Sequence, residues 1–252
     1  MLFELFFSVI VIAFILEFLD ASVGMGYGIL TPILLIMGFP ALEAISAVLF
    51  SSAVLSLFAG FLHHGVHNVN FKTKKNQKIL SILILLGSIA IILASFIANN
   101  IPETILVGYI GLLIIIIGIS LFISRKKHKF SFKKLIFFGS LASFNKGISG
   151  GGYGPVLASG QISSGIDSKS AIAMTALSEG IVSLIGFIAY LLINGGITQT
   201  NLGLLISLII GGAISTPLAV IAVKKVKAEK LKYFIASASI IFGIFIITKL
   251  FI

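Results

Sequence analysis

Cysteine is absent from all 252 residues, which excludes disulfides, thiolate metal sites and cysteine nucleophiles. Tryptophan is absent as well, so an aromatic belt at a membrane interface has only Phe and Tyr to draw on. Charge is scarce: 10% of the residues carry one, and just 8 are acidic. No polar stretch is long enough to enclose a soluble core of its own. Hydrocarbon takes the place of all these. Hydrophobic residues make up 58% of the chain, and the mean hydropathy is +1.18. Apolar runs able to span a bilayer, which takes roughly 17–25 residues, occupy most of the length. The expectation is an all-α polytopic membrane protein, one membrane domain over residues 1–252.

The formal net charge of +10 would point to nucleic acid in a soluble protein. Fifteen of the 18 basic residues, however, fall in three short stretches, Lys72–Lys78, Arg125–Lys134 and Lys224–Lys232. Clustering of this kind marks cytoplasmic loops and reports orientation. No nucleic-acid partner is expected. The lipid bilayer is, with contact to anionic headgroups as a second use of the basic loops. Met1 to Asp20 has neither a basic leader nor a small-residue cleavage site, so it reads as a retained first helix rather than a signal peptide.

Hydrophobic segments can be drawn at 3–19, 26–38, 41–62, 79–98 and 103–123, then at 133–148, 153–163, 168–193, 201–223 and 231–251. The second segment of each half is short, and each lies against a glycine cluster. The first cluster is Gly24-Met25-Gly26-Tyr27-Gly28 with Pro32, and the second is Gly150-Gly151-Gly152-Tyr153-Gly154-Pro155. Their Gly-Tyr-Gly cores are 126 residues apart, half the chain. At that offset the basic stretch 72–78 falls on the non-basic link near 198–204, and non-basic 98–103 falls on basic 224–229. Equivalent loops of opposite charge character are what two inverted repeats require, here 1–124 and 125–252. The basic stretches follow the third, fifth and ninth segments, which puts them on the cytoplasmic face and both termini outside. At about 11–13 residues the short segments reach roughly 17–20 Å, less than the ~30 Å hydrocarbon core. They are half-helices that either cross or re-enter, and loop charge fits both.

Broken helices in corresponding places of two halves point to the substrate site of a transporter. Unwound backbone at membrane depth is tolerated where it is buried in protein or lines a wet cavity. The helix restarting after each break aims its free N–H groups and positive end at the gap. Gly24, Gly26, Tyr27, Gly28, Asn145, Gly150, Gly151, Gly152 and Tyr153 are therefore candidate anion-binding residues, with close helix packing as the alternative use of the glycines and aromatic packing that of the tyrosines. For Gly108, Gly111 and Gly118, and for Ser207, Gly211 and Ser215, packing is the whole expectation.

Lys146, after Asn145 and just before the second cluster, stands far from every basic loop. A lysine at membrane depth is expensive and so a functional candidate; it supplies a cation with three donors for an anion's oxygens. The other reading is an interfacial lysine whose head reaches the outer face. Asp20 is its counterpart in the first half, with Glu17 one turn earlier. Asp20 is either an ion-pair partner or proton site facing Lys146, or a cap at the membrane interface on the turn that follows it. Glu179 sits in the middle of a long apolar segment, and Thr175, Glu179 and Ser183 form one polar stripe. Such a stripe faces protein or water and suits proton or sodium coupling, or a structural hydrogen bond. Glu43 and Asp167 begin long helices as complements to the dipole. His63, His64 and His67 resemble a fragment of a histidine box, but with four histidines in the chain an interfacial polar cluster is the better reading.

These motifs together resemble the TauE/SafE sulfite-exporter family, also called the toluene-sulfonate uptake permease family. The resemblance covers nearly the whole chain. It rests on the two glycine clusters, on Gly38-Phe39-Pro40, and on Ser168-Lys169-Ser170-Ala171 leading into a small-residue helix. It implies transport of a small sulfur-containing anion such as sulfite or an organosulfonate. The expected protein is thus a secondary transporter in the cell membrane, without a cofactor or a catalytic site. Protons or sodium and a second copy of the chain are left open as partners. A cation or metal-ion carrier using Glu17, Asp20 and Glu179 is the alternative, and a membrane-embedded metalloenzyme at the histidines a more distant one.

Overall fold

The computed structural model describes residues 2–24, 26–123, 131–194, 199–223 and 228–250. Met25 of the first glycine cluster, 124–130 and 224–227 of two basic stretches, and 195–198 of the non-basic link lie outside the described residues. Within those described, all regular structure is helical. Helix α1 covers Leu2–Val23 and α2 Leu30–Ile36, with a single 3₁₀ turn at Tyr27–Ile29 leading into α2. Then come α3 (Ala41–Gly65), α4 (Lys74–Asn100) and α5 (Glu103–Ile123). The second half has α6 (Phe132–Ser149), α7 (Tyr153–Ser163), α8 (Ser168–Asn194), α9 (Gln199–Ala222) and α10 (Ala228–Lys249). Among the described residues, six helices are long and apolar enough to cross a membrane. The short segments appear where the sequence places them, as α2 and α7.

Helix starts near the bundle ends are capped by polar side chains. Thr73 accepts from the Asn76 N–H at 3.4 Å, Asp167 from the Ser170 N–H at 3.0 Å, and Glu103 from the Ala41 N–H at 2.9 Å. Such caps are worth about 1 kcal/mol each. The helix ends inside the bundle use glycine instead, described below.

Four helix pairs dominate the packing: α1 on α9, α3 on α8, α4 on α6 and α5 on α10. Small residues set their direction and distance. Gly60 of α3 faces Leu177 while Gly180 of α8 faces Leu57, so α3 and α8 run antiparallel. Gly111 faces Ile247 and Gly118 faces Ile240, so α5 and α10 do too. The other two pairs are parallel: Gly203 meets Phe6 and Gly211 meets Ile10, while Gly87 meets Ser143 and Gly147 meets Ala94. The glycines assigned to packing on α5 and α9 are used in that way. The outside of the bundle is greasy, with Phe61, Leu85 and Leu192 strongly exposed. That surface suits lipid tails and no aqueous solvent.

Candidate functional site

Two helix ends in the interior create the site. Helix α1 stops at Val23 and α6 at Ser149, and each is followed by a left-handed glycine, Gly24 at φ 71° and Gly150 at φ 70°. A Cβ is strained in that region, so glycine is the residue that lets the helix stop there. The two stops match bond for bond. Gly24 N–H donates to the Asp20 carbonyl at 2.6 Å, and Gly150 N–H to the Lys146 carbonyl at 2.8 Å. The turns that follow press against one another. A Cβ on Gly151 would stand 2.6 Å from the Gly28 carbonyl oxygen, and one on Gly154 would collide with the Gly24 carbonyl. Backbone touches backbone here.

Lys146 lies in the last turn of α6 and is 0% exposed. Its Nζ donates to Glu179 Oε1 at 2.7 Å and to Ser52 Oγ at 2.8 Å. The same ammonium stands 5.8 Å from the centre of the Tyr27 ring, within cation–π range. The lysine therefore does not reach for a membrane face. Ser52 is near the middle of α3, which puts the pair at mid-depth of the bundle. Desolvating two such charges costs about as much as their attraction returns. The Ser52 bond and the Tyr27 ring complete the ammonium's shell.

The stripe on α8 points inward, with Thr175, Glu179 and Ser183 all buried. Thr175 Oγ1 accepts from Gln161 Nε2 of α7 at 2.7 Å. Glu179 Oε2 and Ser183 Oγ have no partner. Asp20 is buried in the interior. Its Oδ1 accepts from the Tyr27 N–H at 3.0 Å, so it fastens the first turn, and the ion pair that symmetry suggested for it goes to Glu179. The reason is geometric: the chain after Asp20 folds straight back over it and offers an N–H seven residues on. Glu17 Oε1 accepts from Thr216 Oγ1 of α9 at 3.2 Å, and its Oε2 has no partner. Both α1 carboxylates are within electrostatic reach of Glu179 and Lys146. Glu179 thus touches the ammonium, and the two α1 carboxyl groups act on the pair through space.

Tyr27 and Tyr153 brace the turns, their hydroxyls donating to Ser51 and Ser178, each at 3.0 Å. Asn145 faces α5, where its Oδ1 accepts from the Tyr109 hydroxyl at 2.6 Å. It lines a mainly apolar cleft of about 490 Å³ with Tyr109, Leu113, Val156 and Gly160. The histidines hold helix ends. His63 Nε2 contacts the Ala21 carbonyl at 3.0 Å and Nδ1 contacts Asn68 Nδ2 at 3.0 Å, while His64 Nδ1 contacts the Val69 carbonyl at 3.1 Å. A matching tie lies toward the other end, where the Tyr190 hydroxyl donates to the Gly147 carbonyl at 2.7 Å; Ala21 and Gly147 are 126 residues apart. Among the described residues, no three His, Cys, Asp or Glu side chains gather closely enough to hold a metal ion.

Sequence reasoning missed Thr216, Gln161, Tyr190 and the pairing of Ser52 with Lys146. Hydroxyls and amides are common in membrane helices and carry little signal individually. Gln161, a lone amide in a short apolar segment, was the one with a visible cue.

A family model described as sulfite exporter TauE/SafE matches residues 9–246. A protein of Bacillus subtilis (strain 168), described as a probable membrane transporter protein, YtnM, is 28% identical over 233 residues. The match takes in 86% of this chain and 75% of that protein. No solved structure matches the chain.

Proposed function

The chain belongs to the sulfite exporter TauE/SafE family, and we propose that it is a secondary transporter that exports a small sulfur oxyanion, sulfite or an organosulfonate, by alternating access. The observation that carries this reading is the contact of the two glycine turns beside a fully buried lysine. Lys146 supplies the charge, and the backbone of Gly24, Gly26 and Gly28 and of Gly150, Gly151, Gly152 and Gly154 supplies close approach without a side chain in the way. Export of an anion is favoured by an inside-negative potential, about 2.3 kcal/mol per charge per 100 mV. The cation-carrier alternative draws on the unpartnered oxygens of Glu17 and Glu179, but Lys146 already stands against Glu179 and repels a second cation.

Two inverted repeats, 1–124 and 125–252, underlie the mechanism. The 126-residue offset relates α3 to α8 and α5 to α10, and both of these pairs touch and run antiparallel. The parallel contacts α1 on α9 and α4 on α6 exchange under the same relation. These features support a two-fold axis in the membrane plane. Both termini then lie outside and the basic loops inside. In a cysteine-labelling test with an impermeant reagent, Asn100→Cys should react in intact cells and Lys74→Cys only after lysis. The reverse at both sites would overturn the orientation.

Flux of a panel of sulfite, sulfate, an alkanesulfonate and nitrate into proteoliposomes tests the substrate. Sulfite or the sulfonate should move several-fold faster than nitrate. Equal rates for all four would remove the sulfur reading.

A further inference from the structure

Lys146 is matched in charge by one group, the Glu179 carboxylate at 2.7 Å. An anion that takes the ammonium must therefore displace or neutralise that carboxylate. Displacement has nowhere to go. Glu179 is buried in the middle of α8, and among the described residues every element packed around it, apart from α6 with Lys146, brings it carboxyl, hydroxyl or apolar groups. Helix α1 brings Glu17 and Asp20, and the first turn and α7 bring Tyr27 and Tyr153, whose hydroxyls already donate to serines. Helix α3 brings Ser52, and α4 meets α8 through Gly87 and Ile91. Among the described residues, no second cation faces Glu179 to receive the carboxylate. An anion beside an ionised Glu179 would put a second negative charge against the one ammonium, and buried charge is tolerated when it is paired.

Neutralisation has a place prepared for it. Glu179 Oε2 has no partner, and neither has Ser183 Oγ one turn along the same face. A carboxylic acid has an O–H to donate, and Ser183 is an acceptor within a turn's reach. A proton also needs no coordination shell, whereas a sodium ion would sit beside an ammonium.

We propose that Glu179 takes up one proton when an anion binds Lys146, which makes the protein a proton–anion symporter whose proton carrier is the lysine's own counter-ion. The proton comes from water on the side the anion enters, converts the carboxylate to the acid, and returns to water when the anion leaves and the ion pair closes again. No bond to the anion is made or broken. For a dianion, one proton leaves a net charge of one moving outward, so an inside-negative potential still assists export; a sulfonate monoanion moves with its proton as a neutral sum, driven by the sulfonate and proton gradients alone. This inference rests on Lys146 being the anion's seat.

The test uses the purified full chain with an alkanesulfonate, which has no proton of its own to titrate near neutrality. Binding should tighten about tenfold per unit fall in pH, as linkage of one proton to one anion requires. In liposomes holding a pH-sensitive dye, a sulfonate gradient should drive protons in the same direction. Glu179→Gln should bind the sulfonate with a flat pH dependence and move no protons. Wild-type sulfonate flux without protons, a sodium requirement, or an unchanged pH slope in Glu179→Gln would each overturn the coupling. The wild-type measurements decide even if the variant does not fold. If no sulfur anion binds but nitrate does so with the same slope, the sulfur reading falls and the coupling stands. If Lys146→Ala binds anions as wild type does, both fall.

Discussion

Gly151→Ala should leave little or no folded protein, while Gly108→Ala should be nearly silent. The methyl group at 151 would stand 2.6 Å from the carbonyl oxygen of Gly28 and 3.2 Å from its carbonyl carbon and Cα. All three are backbone atoms on a turn that itself rests on buried neighbours, so no rotamer change relieves the contact. Overpacking in a filled core commonly costs about 1–3 kcal/mol. With backbone as the obstacle the loss should be at the top of that range or above it. At 108 the nearest atom is Leu250 Cδ1 at 3.5 Å, an ordinary contact with the end of a flexible side chain. Thermal unfolding in detergent, followed by loss of the monodisperse peak on size exclusion, separates the two. A Gly151→Ala variant as stable as Gly108→Ala would mean the two turns are not in contact.

Lys146→Ala should weaken anion binding by roughly ten- to a hundred-fold, the worth of a charge-assisted hydrogen bond. It should also destabilise the protein, because Glu179 is left buried without its cation, and breaking one side of such a pair costs about 3–5 kcal/mol. The two effects are separable. Replacing both members, as Lys146→Met with Glu179→Gln, removes the charges together and should recover most of the stability while leaving binding lost. Isothermal titration with sulfite and thermal unfolding, run on both variants, read the two quantities independently. If the double variant binds as well as wild type, the ammonium is not the anion's seat.

Helix positions and breaks were legible because each has a one-dimensional cause. The duplicated Gly-Tyr-Gly cores marked both interior stops, and the structure realises them as Gly24 and Gly150 in matching conformations. Lys146 was legible as a buried charge because nothing basic surrounds it in the chain. Its partner was harder to read. Asp20 and Glu179 were both available carboxylates. What decided between them was the return of the Tyr27 N–H onto Asp20, a local backbone geometry that composition does not encode. Ser52 and Thr216 were illegible for another reason: hydroxyls occur on many faces of these helices, and which one meets a charge depends on rotation of a helix about its own axis. Polarity along the chain fixes depth, whereas contact needs azimuth as well.

The bond between Asp20 and the Tyr27 N–H bears on how the chain enters the membrane. During synthesis the first helix reaches the translocon long before the rest exists. Asp20 carries its partner in the same hairpin, seven residues downstream, and is satisfied as soon as that turn forms. Glu17 is different: Thr216 follows 199 residues later, so this carboxylate spends most of synthesis unmatched. Lys146 emerges when Ser52 is already in place but 33 residues ahead of Glu179. The centre of the protein is thus closed from the N-terminal side outward, and the arrival of α8 and then α9 is what turns an inserted set of helices into a transporter.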